Sequence, residues 1–324
     1  MREIVNEGKR ANSSSELIEN KQGASSGLQA GGEVASRGGR KVVGTVRATV
    51  PGHVTGFFAA RREEDPLASG SIGCGFTLGL LARTAVSRAD STQIIINGRP
   101  SDAPVSRHVV DSLAPSPVRV ETELDMVMGA GFGASGAGAL SCAYALNQLF
   151  DLGLTSNQAA SVAHRAEVLN GTGLGDVIAQ NTGGLVIRIA HGAPGRGVVD
   201  RIPIPRTRVY AVVRGPIPTR DVLRDAGVMK RINDAGERAV KEILRRPTLG
   251  EFMRLSRRFT YETGLASSWA MDAIEAVESS GGMASMIMLG DSVFAVGGDE
   301  CREALQDFGD VIETEIVQRG PLLD

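Results

Sequence analysis

Gly129-Ala130-Gly131-Phe132-Gly133-Ala134-Ser135-Gly136-Ala137 is the stretch on which the reading of this chain turns. Before it, Val118, Val120, Thr122, Leu124, Met126 and Met128 alternate at period two, the pattern of a strand; after it, Gly136–Phe150 reads as a helix. Glycines in such a junction let backbone N–H groups approach a ligand unobstructed, and the helix N-terminus adds a positive dipole. The combination is an anion site, most naturally for phosphate. The alternative, close packing of strand on helix with no ligand, needs fewer glycines than this cluster supplies. Gly131-x-Gly133-x-x-Gly136 also matches the dinucleotide fingerprint, which requires a second strand ending in an acid about twenty residues on. Asp151 has that spacing but closes a helix and is followed by another, so the fingerprint fails in context. No Gly-Lys-Ser/Thr follows, which excludes a Walker-type loop.

The cluster is part of a wider excess. The chain holds 41 glycines in 324 residues, about 13% against an ordinary 7% or so, with only 4% aromatics. Lys and Arg number 35 against 37 Asp and Glu, a net charge of −2, which argues against nucleic-acid binding. Mean hydropathy is −0.02. No apolar run approaches the ~18 residues of a membrane helix, and no apolar N-terminal region marks a signal peptide, so a cytoplasmic protein without membrane partners is expected. Cys74, Cys142 and Cys301 are distant and odd in number, which fits packed thiols in a reducing compartment rather than a disulfide framework.

Residues 1–41 are rich in Ser and Gly and read as a disordered tail. From there two α+β halves are expected, over 42–205 and 206–324, divided at the Pro203–Thr207 segment. In the first, Val42–Val50 reads as a strand stopped by Pro51, Gly70–Gly75 as a turn, Thr92–Ile96 as a strand before an Asn97-Gly98 turn, and Val105–Leu113 as a helix. A helix over Asn157–Leu169 leads into Gly171-Thr172-Gly173-Leu174-Gly175-Asp176, and a strand over Leu185–Ile189 follows. In the second half, helices are expected near Thr219–Ala226, Gly236–Arg245, Leu249–Thr260, Ala266–Glu278 and Glu300–Phe308. Strands are expected at Val209–Val213, Ala284–Leu289, Ser292–Val296 and Val311–Ile316.

Val127 to Ala137 resembles the second motif of the GHMP kinases, Pro-x-x-x-Gly-Leu-Gly-Ser-Ser-Ala-Ala. Val127 stands for the Pro, Phe132 for the Leu, Ala134 for the first Ser and Gly136 for the first Ala, while Ser135 is retained. The resemblance implies a two-domain α+β GHMP kinase fold with a ferredoxin-like C-terminal half and an N-terminal half like a ribosomal-protein domain. It implies ATP and Mg²⁺ as cofactors, with Gly129, Gly131, Phe132, Gly133, Ala134, Ser135 and Gly136 around the phosphates. Ser135 and Glu167 would then hold the metal, and Asp176, nine residues after Glu167, would accept the proton of the attacking hydroxyl.

Within this superfamily the chain is most similar to the archaeal pantoate kinase branch of coenzyme A biosynthesis. That similarity is carried by Val50–Phe58, Asp65–Gly75, Asn170–Asp176 and Gly183-Gly184 ahead of Arg188. His53 stands where the wider superfamily usually has Lys or Arg, and the third glycine motif is shortened to Gly281-Gly282-Met283-Ala284-Ser285. Pantoate carries a carboxylate and two hydroxyls. Arg188 suits the carboxylate through its planar fork, and Ser71, His53 and His164 are the other expected substrate contacts. The alternatives are a kinase of another small hydroxylated acid or alcohol, such as homoserine or a mevalonate derivative, and a non-catalytic sensor on the same fold. An NAD-binding oxidoreductase is a third. Retention of both Glu167 and Asp176 argues against a sensor, and the missing second strand against NAD. A homodimer is left open.

Overall fold

The computed structural model describes residues 44–216 and 225–324. The Ser/Gly-rich tail, and residues 219–224 of the helix expected at Thr219–Ala226, lie outside them. Two long antiparallel strands organise the rest: β1 (Thr45–Arg61) and β2 (Gly70–Arg88). Two sequence expectations are corrected here. Pro51 does not stop β1, because the register shifts between Pro51 and Gly52, and such an irregularity tolerates a residue with no N–H. Gly70–Gly75 is not a turn but the first part of β2, paired to β1 on one side, with Gly73–Phe76 paired to β6 (Leu185–Ala190) on the other. Glycine is required there because a Cβ would strike what lies above: at Gly73 the Phe57 carbonyl, and at Gly75 the Val54 carbonyl.

Beyond β2 come β3 (Gln93–Ile96) and β4 (Arg99–Pro100), joined by Asn97 and Gly98 at φ 48° and 75°, the left-handed pair a two-residue hairpin turn demands. Then follow α1 (Pro104–Leu113), β5 (Val118–Leu124), α2 (Ala134–Phe150), α3 (Ser156–Asn170) and α4 (Asp176–Thr182). After β6 come β7 (Val198–Ile202), β8 (Thr207–Pro216), α5 (Ala226–Ile243), α6 (Leu249–Thr263) and α7 (Ser268–Ser279). The chain ends through β9 (Met283–Met286), β10 (Gly290–Val296), α8 (Asp299–Gln306), β11 (Ile312–Ile316) and β12 (Leu322–Leu323). The short α4, β7 and β12 carry too few residues to show periodicity and were not expected.

The strands form one mixed sheet in the order β4-β3-β5-β2-β11-β8-β10-β9, with β1 and β12, and β6 and β7, branching from β2. Only β3 and β5 pair in parallel among the described strands. α2 lies on β1 and β2, and its small residues Ala137, Ala139 and Ala143 are wholly buried, which lets the helix run through the core. α5 approaches β1 so closely that a Cβ at Gly236 would run into the Phe58 carbonyl. Phe76 joins the two parts of the chain, with ring centroids 5.7 Å from Phe252 and 5.3 Å from Phe294 in edge-on geometry.

Candidate active site

The glycine cluster is a loop that delivers the chain to the N-terminus of α2. Gly129, Gly131 and Gly133 have φ of 78°, 87° and 64°, a conformation that side chains disfavour. Gly133 caps α2 without any side-chain hydrogen bond, so no capping side chain takes the first N–H groups of the helix. The loop is pressed against the turn before β10: a Cβ at Gly131 would lie 2.8 Å from the Met288 carbonyl, and one at Gly290 would strike the Ala130 carbonyl. Met288 and Leu289 therefore face the cavity from the second half of the chain. The shortened third motif sits elsewhere, since Gly282 abuts Cys301 and Ser285 is buried against Thr260.

A cavity of about 540 Å³ opens beside this loop, walled among others by Ser71, Gly133, Ser135, Thr172, Asp176 and Arg188. Glu167 lies just behind its wall. Thr155 and Gln158 form a capping box that starts α3, and Gly171 at φ 67° ends it, so Glu167 is held in the last turn beside α2. Its Oε1 accepts from Ser135 Oγ at 2.7 Å and from Thr172 Oγ1 at 2.8 Å. Only 2% of the residue is exposed, and burial pushes its carboxyl up to about 7 against the pull of those two hydroxyls. No cationic side chain pairs with it among the described residues. A Cβ at Gly173 would run into Glu167 Oε2 and lie 3.2 Å from Asp176 Oδ2, so the missing side chain leaves a space that both carboxylates face.

Asp176 is the first residue of α4 and not part of a plain turn. Gly175 is its N-cap, and the half-exposed geometry of this helix start turns the carboxylate toward the cavity. Its Oδ1 accepts from His53 Nδ1 at 2.8 Å. One turn later Gln180 donates from Nε2 to the Gly133 carbonyl at 2.9 Å, tying α4 to the glycine loop. Arg188, on β6, is the largest fully buried side chain, and its Nε and Nη1 have no hydrogen-bond partner. Burial holds its pKa below the ordinary value against the nearby Asp176 charge. A Cβ at Gly175 would strike Ser71 Oγ and come within 2.8 Å of Arg188 Nε, so this glycine lets both pack against the start of α4 beside the cavity.

The structure thus brings together Ser71, Ser135, Glu167, Asp176, Arg188 and the 129–136 loop. It places His164 apart: its ring is 1% exposed, does not wall the cavity, and bonds through Nε2 to the Ser69 carbonyl at 2.9 Å. Burial lowers its pKa, and a second backbone contact comes from Pro66, so it fastens α3 to the start of β2. His53 lies behind Asp176 and outside the cavity wall. Thr55, Thr172 and Gln180 were not singled out from the sequence. Gln180 stands four residues after Asp176, a signal visible only once α4 is known. Cys74 and Cys142 are fully buried thiols that burial pushes up to about 12, in keeping with packing roles.

The chain is 37% identical over 268 residues to a pantoate kinase of Thermococcus kodakarensis, covering 79% of this chain and 88% of that one. It is 34% identical over 288 residues to a pantoate kinase of Methanospirillum hungatei, covering 86% and 96%. The chain belongs to the pantoate kinase family. That family lies within the GHMP kinases, whose N terminal domain profile matches residues 104–184, a span that includes the glycine loop, Glu167 and Asp176. A solved structure described as a phosphotransferase related to the CoA biosynthesis pathway superposes with a TM-score of 0.79 at 33% identity, covering 86% of this chain and 98% of that one. The mevalonate-3-kinase of Thermoplasma acidophilum, at 15% identity and TM-score 0.62 over 86% of this chain and 97% of that one, shares the fold. The two-domain α+β kinase fold expected from the 127–137 motif is therefore shown. Among the described residues no helix is long and apolar enough to cross a membrane.

Proposed function

We propose that this protein transfers the γ-phosphoryl group of ATP to the primary hydroxyl of pantoate, giving 4-phosphopantoate and ADP. The observation that carries the reading is Arg188: a buried guanidinium with two unpartnered nitrogens, beside the cavity that Asp176 and the phosphate loop also face. A buried cation without a bonded partner is costly, and an anionic substrate group relieves that cost. The pantoate carboxylate supplies the planar pair of acceptors that suits the fork, with Ser71 beside it. The acceptor hydroxyl then lies toward Asp176, whose carboxylate takes its proton as the new O–P bond forms and the bond to the β-bridging oxygen breaks, leaving ADP. The loop at 129–136 and the start of α2 hold the phosphates, so the work of the protein is positioning and charge neutralisation. In this reading 42–205 brings the phosphate loop, the acids and Arg188, and 206–324 brings the Met288-Leu289 wall.

The residues present fit a magnesium ion. Ser135 and Glu167 are two oxygen donors beside the space left by Gly173, and an ion shared with phosphates needs only one or two protein ligands. Mg²⁺ bound there would neutralise charge on the transferring phosphates. A group of three or more His, Cys, Asp or Glu side chains able to hold a metal alone is absent among the described residues, which agrees with an ion completed by nucleotide.

An ADP-release assay run in parallel with pantoate, homoserine and mevalonate tests the substrate. Turnover is expected with pantoate; turnover only with another acceptor overturns the assignment. Glu167 gives a second test on stability. Its folded-state pKa is raised from 4.5 to about 7, so the protonated carboxyl favours the fold fully below pH 4.5, and that advantage is lost as pH rises toward about 7. At pH 8, without nucleotide or Mg²⁺, the buried carboxylate therefore costs on the order of a few kcal/mol. Glu167→Gln is expected to lose turnover yet melt above the parent at pH 8, with the gap closing near pH 4.5. A gap independent of pH would show that Glu167 titrates normally.

A further inference from the structure

His53 has the residue type of a substrate contact but not the position of one. The ring is wholly buried within β1, and the cavity wall does not include it. It has instead two firm attachments, one on each side of the chemistry. Nδ1 lies 2.8 Å from Asp176 Oδ1, and the backbone N–H donates to the Phe132 carbonyl, in the phosphate loop, at 2.9 Å. We propose that His53 is a positioning residue that donates its Nδ1–H to Asp176 while its backbone holds the phosphate loop, so that one strand fixes the proton acceptor relative to the γ-phosphate.

The tautomer follows from the contacts. The carboxylate can only accept, so the proton between the two groups sits on Nδ1. Nε2 then carries a lone pair, and it has no partner. It points at Gly75, where a Cβ would lie 2.5 Å from it, so β2 clamps the ring in this orientation. The ionisable groups that act on the ring are Asp176 and Arg188. Burial and the Arg188 charge both hold the imidazole pKa below its ordinary value, against Asp176, which favours a neutral ring. A lysine at this position would bring a mobile point charge on a flexible stem; the clamped imidazole brings a directed donor. Gln180 supports the same alignment from the other side of Asp176, through its bond to the Gly133 carbonyl. Displacing a reacting group by about an ångström costs on the order of a hundredfold in rate, which sets the size of effect expected from losing the donor.

This inference rests on the reading of Asp176 as proton acceptor, and two variants of His53 separate the two. An asparagine amide nitrogen can stand where Nδ1 stands, whereas a glutamine amide reaches the position of Nε2. With whichever acceptor the ADP-release assay turns over, His53→Asn is expected to keep kcat within about fivefold, and His53→Gln to lose about a hundredfold in kcat with both KM values nearly unchanged. On an Asp176→Asn background His53→Gln should cost nothing further. A rise in pantoate KM at constant kcat would make His53 a substrate contact, and equal losses in both variants, or none, would also overturn the proposal. Proton NMR of the unliganded wild type adds a test independent of substrate. A far-downfield imidazole N–H resonance is expected, absent in His53→Gln and moved upfield in Asp176→Asn; its absence from the wild type would overturn the proposal even if a variant fails to fold.

Discussion

Asp176→Asn is expected to reduce turnover by about a thousandfold or more while leaving ATP binding intact, within the range that general-base removal produces. The substitution keeps the shape of the side chain, and its amide oxygen can still accept from His53 Nδ1, now 2.8 Å from Asp176 Oδ1. What disappears is the ability to take a proton from the acceptor hydroxyl. The phosphate loop and the Glu167–Ser135 pair are untouched, so nucleotide affinity measured by calorimetry should match the parent. Single-turnover ADP release is the measurement that isolates the chemical step. Unchanged release would move the role of proton acceptor to another group.

Arg188→Met carries the second large effect, and it falls on a different parameter. The guanidinium is fully buried with Nε and Nη1 unpartnered, and in the proposed reading it receives the substrate carboxylate. A charge-assisted hydrogen bond contributes about 1.5–3 kcal/mol each, and losing a bidentate pair should raise the pantoate KM by about a hundredfold or more. The ATP KM should stay within a few-fold, because Arg188 packs against Gly175 at the start of α4 and not against the 129–136 loop. A methionine fills similar volume with no charge to bury, so thermal stability should not fall. Steady-state kinetics with each substrate varied in turn decides the matter. Equal rises in both KM values would take Arg188 out of the substrate pocket.

Much of the site was legible because its signals are local. The 129–136 glycines, Ser135, and the nine-residue step from Glu167 to Asp176 are patterns of one chain segment, and helix and strand periodicity located α2, α3, β5 and β6 around them. The misread parts share a cause: a residue that breaks regular structure locally was used for tertiary reasons. Pro51 was read as a stop, yet the register shift beside it absorbs the missing donor. Gly70–Gly75 reads as a turn, yet the segment lies in β2, where the Phe57 and Val54 carbonyls, with Arg188 and His53 next to them, leave no room for side chains at Gly73 and Gly75. The same limit applies to the histidines. Their spacing put His164 on the face of Glu167, but only the fold reveals that its ring is spent on the Ser69 carbonyl. Nothing in the local sequence announces that His53 and Asp176, 123 residues apart, meet at all.

Asp176, the proton acceptor of the proposed mechanism, sits on a helix start that is bonded to β1 through His53. β1 shares its whole length with β2, and β2 also pairs with β5, β6 and β11. Asp176 is therefore tied through His53 to the strand pair on which the sheet is built, and Arg188 rises from β6, which pairs with β2. In the proposed mechanism the proton acceptor and the carboxylate clamp thus hang from one continuous sheet. In that reading the distance between proton acceptor and carboxylate clamp is set by strand pairing rather than by a loop.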